Sequence, residues 1–61
     1  MRVNLFTIND TFDEVFQATR YTDEIAEHEG MGDDQFYSME SELERSGRYW
    51  ITPKLIARKP R

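Results

Sequence analysis

NDTFDEVFQATRYTDEIAEHE, residues 9–29, is the stretch on which the fold turns. Asn9, Asp10 and Thr11 offer side-chain oxygens for a helix start. Thr11 with Glu14 three residues later fits the capping box, in which each side chain satisfies a free backbone N–H of the first turn. At about 100° per residue, Phe12, Val15, Phe16, Ala18, Thr19, Thr22, Ile25 and Ala26 gather on one side. Asp13, Glu14, Gln17, Arg20, Tyr21, Glu24, Glu27 and His28 take the other, and Asp23 falls at the apolar edge. The pattern predicts one long amphipathic helix from about Thr11, ended by Gly30 or Gly32.

Before this stretch, residues 2–8 alternate as a strand, with Val3, Leu5 and Thr7 on one face and Asn4, Phe6 and Ile8 on the other. Apolar groups on both faces predict a well-covered strand. After it, Asp33 and Asp34 are expected to cap a second helix running to about Ser46. Its buried stripe is Phe36, Met39 and Leu43, at i, i+3 and i+7, and Gly47 stands where a left-handed C-cap belongs. Residues 48–58 read as extended because Tyr49, Trp50, Ile51, Leu55 and Ile56 favour strands. Pro53 cannot donate to a ladder, so it marks a sheet edge or a bulge. The expected fold is α+β in the order β-α-α-β, one small domain over residues 1–61, with two helices packed on one face of a two-stranded sheet. Such a sheet is marginal alone and must lean on the helices or continue across a homodimer by edge pairing.

Size limits the function classes. A chain of 61 residues buries only about 60% of its unfolded surface, and with no cysteine it has no disulfide to compensate. Four Phe, three Tyr and one Trp supply material for a compact core. The first residues are too polar for a signal-peptide core, and no apolar run approaches the roughly 20 residues that cross a bilayer. A soluble cytoplasmic protein with no membrane contact is expected, and Met1 fits a small complete reading frame.

Charge is the most informative feature. Residues 1–44 hold all 12 acidic residues with only Arg2 and Arg20, a net of −10. Residues 45–61 hold Arg45, Arg48, Lys54, Arg58, Lys59 and Arg61 with no acid, a net of +6, which brings the total to −4. A solvated charged face would serve solubility alone. Two details argue for more. Glu27 and Glu29 fall near a helix C-terminus, where the macrodipole disfavours anions. Asp23 with Glu27, and Glu40 with Glu44, are like charges four residues apart, which repel on a helix.

A carboxylate-rich helix surface can occupy a basic groove built for nucleic acid, since its charges are spaced on the scale of backbone phosphates. The leading expectation is therefore a small acidic inhibitor or regulator, a DNA mimic that engages a basic protein such as a nucleic-acid-processing or defence enzyme. Asp13, Glu14, Glu24, Glu27, Glu40 and Glu44 would make the contact, with Tyr21 and Tyr37 as aromatic anchors. Small acidic inhibitors made by phages are similar in size and charge. The alternative uses the other pole. Arg48-Tyr49-Trp50 and Arg58-Lys59-Pro60-Arg61 combine cations with aromatics, as nucleic-acid binders do. A pI near 4.8 disfavours direct nucleic-acid binding unless the acidic surface faces away. A structural or dimerisation role is the third reading.

Catalytic signatures are missing from the sequence. Cysteine nucleophiles are excluded, His28 has no serine at a telling spacing, and Gly30-Met31-Gly32 is too short for a phosphate loop. Glu24 and His28 have ligand-compatible spacing on a helix, but a solvated pair is the simpler reading. Asp33-Asp34 lacks the rest of a calcium loop. No enzyme, metal or cofactor is expected.

Overall fold

In a computed structural model describing residues 1–60, the chain runs β1 (Arg2–Ile8), β2 (Glu14–Tyr21), α1 (Thr22–Glu29), α2 (Asp33–Ser46), β3 (Arg48–Thr52) and β4 (Leu55–Arg58). The α+β class agrees with expectation. The two-stranded sheet and the β-α-α-β order do not: four antiparallel strands form one sheet, in the order β2-β1-β4-β3.

The long helix expected from Thr11 is half strand. Residues 9–13 form a hairpin turn organised by Asn9, whose Oδ1 accepts from the backbone N–H of Thr11 at 3.0 Å and of Asp13 at 2.9 Å. The Thr11 hydroxyl is spent inside this turn, 2.8 Å from both Asn9 Oδ1 and Asp13 Oδ2, so it caps no helix. Beyond the turn, Val15, Phe16, Thr19 and Tyr21 are β-branched or aromatic and suit a pleated surface. The register shifts between Leu5 and Phe6, where Gln17 is the extra residue of a bulge on β2. The bulge puts Val15 and Ala18 on one face at a spacing of three, which imitates a helical period.

The helix that remains starts at Thr22. Glu24 accepts the Tyr21 backbone N–H at 2.9 Å, the second half of a capping box displaced from the expected site. Gly30 closes α1 and Gly47 closes α2, both in the left-handed conformation, with φ of 68° and 80°. Asp33 and Asp34 lie in the first turn of α2 rather than at its cap, which is Gly32. Residues 48–58 are a hairpin, not one strand. Pro53 and Lys54 make its turn, braced by the Lys54 N–H donating to Thr52 Oγ1 at 3.2 Å.

Both helices pack on one face of the sheet. Ile25 of α1, with Met39 and Leu43 of α2, covers Val3 of β1 and Ala57 of β4, while Leu5, Phe36, Tyr49 and Ile51 pack around them. Thr22 is fully buried and donates its hydroxyl to Glu40 at 2.6 Å, which joins α1 to α2. No helix among the described residues is long and apolar enough to cross a membrane.

Candidate binding surface

Register assigns the opposite face of the sheet. Cross-strand partners point to the same side, so Phe16, Phe6, Ile56 and Trp50 form one row running through β2, β1, β4 and β3. No helix among the described residues covers this row. Phe16 is 56% exposed and Trp50 is 51% exposed. The Phe6 and Phe16 rings meet edge to face with centroids 5.7 Å apart. Ile56, flanked by Phe6 and Trp50, is buried without any helix above it.

Two residues further along each of the inner strands and β3 lies a polar row of Thr19, Asn4, Arg58 and Arg48. At about 3.3 Å per residue the two rows are about 7 Å apart. Thr19 donates to Asn4 Oδ1 at 2.7 Å, which fixes that end of the row. Arg2, opposite Tyr21, adds a third arginine beyond it. Glu14, opposite Ile8, is the acid of this face. Arg58 reaches it through Nε and Nη2, at 2.6 and 2.7 Å from the two carboxylate oxygens. That guanidinium holds the Glu14 carboxyl below the ordinary glutamate range, and Arg48 adds to the effect. Arg2 and Arg48 have no ion-pair partner among the described residues.

Most of the acids lie on the other side. Nine of the twelve are on α1 and α2: Asp23, Glu24, Glu27, Glu29, Asp33, Asp34, Glu40, Glu42 and Glu44. The acidic pole of the sequence is thus largely the helical side of the molecule, while of the basic pole Arg48 and Arg58 lie on the open face.

The eight residues expected to contact a basic partner are divided among three places. Asp13 is in the hairpin turn and Glu14 begins β2, so neither joins a helix surface. Tyr21 ends β2 and is exposed. Glu24 and Glu27 are exposed on α1. Tyr37, Glu40 and Glu44 share a shallow depression on α2 with Met1, Ser41 and Arg45. Several of these carboxylates already have partners: Glu14 has Arg58, Glu40 has Thr22, and Glu44 has Lys59 at 3.3 Å. Glu42, outside that set, pairs with Arg45. Of the basic clusters, Arg48 and Arg58 reach the open face, Lys59 turns to α2, and Arg61 lies outside the described residues.

Beside α1, Leu5, Ile25, Ile51 and Leu55 floor a groove of about 490 Å³ rimmed by Arg20, Glu24, His28 and Glu29. No group of three or more metal-ligating side chains occurs among the described residues. Phe6 and Phe16 belong to no site that the sequence pattern marks, because Phe16 reads there as the buried side of a helix. Compared with protein-family models, curated proteins and solved structures, the chain matches none of them.

Proposed function

We propose that the chain is a non-enzymatic binding protein that holds single-stranded nucleic acid on the open face of its sheet. The observation that carries this reading is the pair of adjacent rows, one holding the exposed Phe16 and Trp50 rings and one holding Arg58 and Arg48, about 7 Å apart on a face no described helix covers. Bases stack on Phe16 and Trp50, each contact contributing about 1–3 kcal/mol in proteins of this kind. Backbone phosphates meet Arg48, Arg58 and Arg2. The acidic helices, on the far side of the sheet, do not oppose the approach. Three spacings of about 4.8 Å put the outer strands roughly 14 Å apart, broader than a major groove of about 12 Å, which favours a single strand over a duplex.

A second copy is a poorer occupant of this face. Two such faces would bring three arginines of each copy together.

The test uses Trp50, the only tryptophan. Titration with a short oligothymidylate is expected to quench its fluorescence at low salt, with affinity falling as salt rises. Phe16→Ala is expected to weaken binding roughly tenfold or more. A low-salt titration with no quenching and no change in sedimentation would remove the reading.

A second reading retains the leading sequence expectation in reduced form. Asp23, Glu24, Glu27 and Glu29 of α1, with Asp33 and Asp34 of α2, have no cationic partner within ion-pair distance among the described residues. These six carboxylates favour a basic protein as the partner of the helical side.

A further inference from the structure

The ion pair between Arg58 and Glu14 joins two parts of the open face that are not neighbours. Along β1, Ile8 lies opposite Glu14, Phe6 opposite Phe16, and Asn4 opposite Arg58. The aromatic row therefore runs between the two charged residues, and their side chains must cross it to meet. The contact is a two-bond fork, with Nε to Oε1 at 2.6 Å and Nη2 to Oε2 at 2.7 Å. A guanidinium offers the same fork to a phosphate. Glu14 and Arg58 are each about a third exposed in their side chains, so this is a solvent-accessible pair, which ordinarily contributes little to stability. Arg58 also has an uncommitted cation, Arg48, as its cross-strand neighbour, so releasing it would put two guanidinium groups side by side.

We propose that this pair is a strap over the platform: Glu14 stands in for a phosphate and holds Arg58 until a nucleic-acid strand takes its place. The inference rests on the platform reading above. On exchange, Arg58 swings into its own row beside Arg48 and Asn4, and the half-buried Phe6 ring opens next to Phe16. The unliganded protein thereby screens one of its three phosphate contacts, and only a ligand that supplies both an anion and a stacking surface repays the loss of the ion pair. A simple anion offers Arg58 no more than Glu14 already does.

The strap is tested by Glu14→Gln, which keeps the shape of the side chain and removes its charge. Full-length wild type and variant are titrated with a short oligothymidylate over a range of salt concentrations, reading Trp50 fluorescence. Glu14→Gln is expected to bind roughly two- to fivefold more tightly at low salt. Its plot of log affinity against log salt is expected to steepen, by up to about 0.7, because the variant has no internal ion pair, strongest at low salt, to break when Arg58 meets the phosphate. Asp13→Asn makes the same change of net charge one residue away and is expected to leave the slope as in wild type. Equal affinity and slope in Glu14→Gln and wild type would overturn the strap and leave the platform standing. An equal gain in Asp13→Asn would also overturn it, because the effect would then be general charge. If neither wild type nor Glu14→Gln is quenched, platform and strap fall together.

Discussion

Asn9 Oδ1 sets the path of the next twelve residues. With two backbone N–H groups bound to this one oxygen, the chain reverses within residues 9–13 and cannot start a helix at Thr11; it returns as β2, which ends at Tyr21. The same turn holds Phe12 at a φ of 63° with its ring 86% exposed, a conformation that an aromatic residue adopts only where its surroundings impose it. A few residues on, Glu14 makes stability depend on pH in a defined sense. Its carboxyl is held below the ordinary glutamate range in the folded protein, first by the hydrogen bond from Arg58, so the folded state binds that proton less readily than the unfolded state. The contribution is complete above the ordinary glutamate value and is lost as pH falls through the depressed one. Acid titration of thermal stability is expected to show a step in this window that Glu14→Gln lacks. At this scale the sequence reads poorly. Thr-x-x-Glu is a capping box or a hairpin turn depending on whether Asn9 takes the backbone donors first, and spacing alone does not distinguish them.

Elements with an unbroken period were legible. β1 occupies the residues its alternation predicts, and Met39 and Leu43 are the fully buried positions of α2, as the i, i+3, i+7 stripe requires. Gly47 ends α2 where expected, with its N–H donating to Leu43 O at 2.9 Å. β2 was illegible because the bulge at Gln17 changes the phase of its alternation midway, and a phase change in a period of two resembles a longer period. The weight on α2 gives a measurable consequence. Leu43 is fully enclosed between the helices and the sheet, and truncation of such a residue costs about 2–5 kcal/mol. In a domain of this size that is most of the stability. Leu43→Ala is therefore expected to be largely unfolded at room temperature by circular dichroism, whereas Tyr37→Ala, on the exposed side of the same helix, is expected to melt close to wild type.

For the whole molecule, the bipolar charge is plain in the linear sequence, but its meaning depends on topology. The aromatic row draws Phe6, Phe16, Trp50 and Ile56 from four different strands, and only the strand order β2-β1-β4-β3 makes them neighbours. The same order turns Arg48 and Arg58 onto the open face and leaves nine of the carboxylates with the helices. It also makes the two poles separable by experiment. Replacing Glu24 and Glu27 with lysine is expected to abolish capture of a basic protein at low salt while leaving oligothymidylate quenching of Trp50 unimpaired; loss of quenching with capture intact would reverse the assignment of the two faces.

The strand order has a further consequence for how the chain comes into being. The two middle strands are β1 and β4, the first and last of the four in chain order, and Thr7 must find Leu55 before the sheet is continuous. Until then the N-terminal hairpin has an open ladder and the helices have only half a floor. Such distant pairing is slow to form. The residues through β4 must therefore be out of the ribosome before β1 gains its second neighbour and the sheet closes.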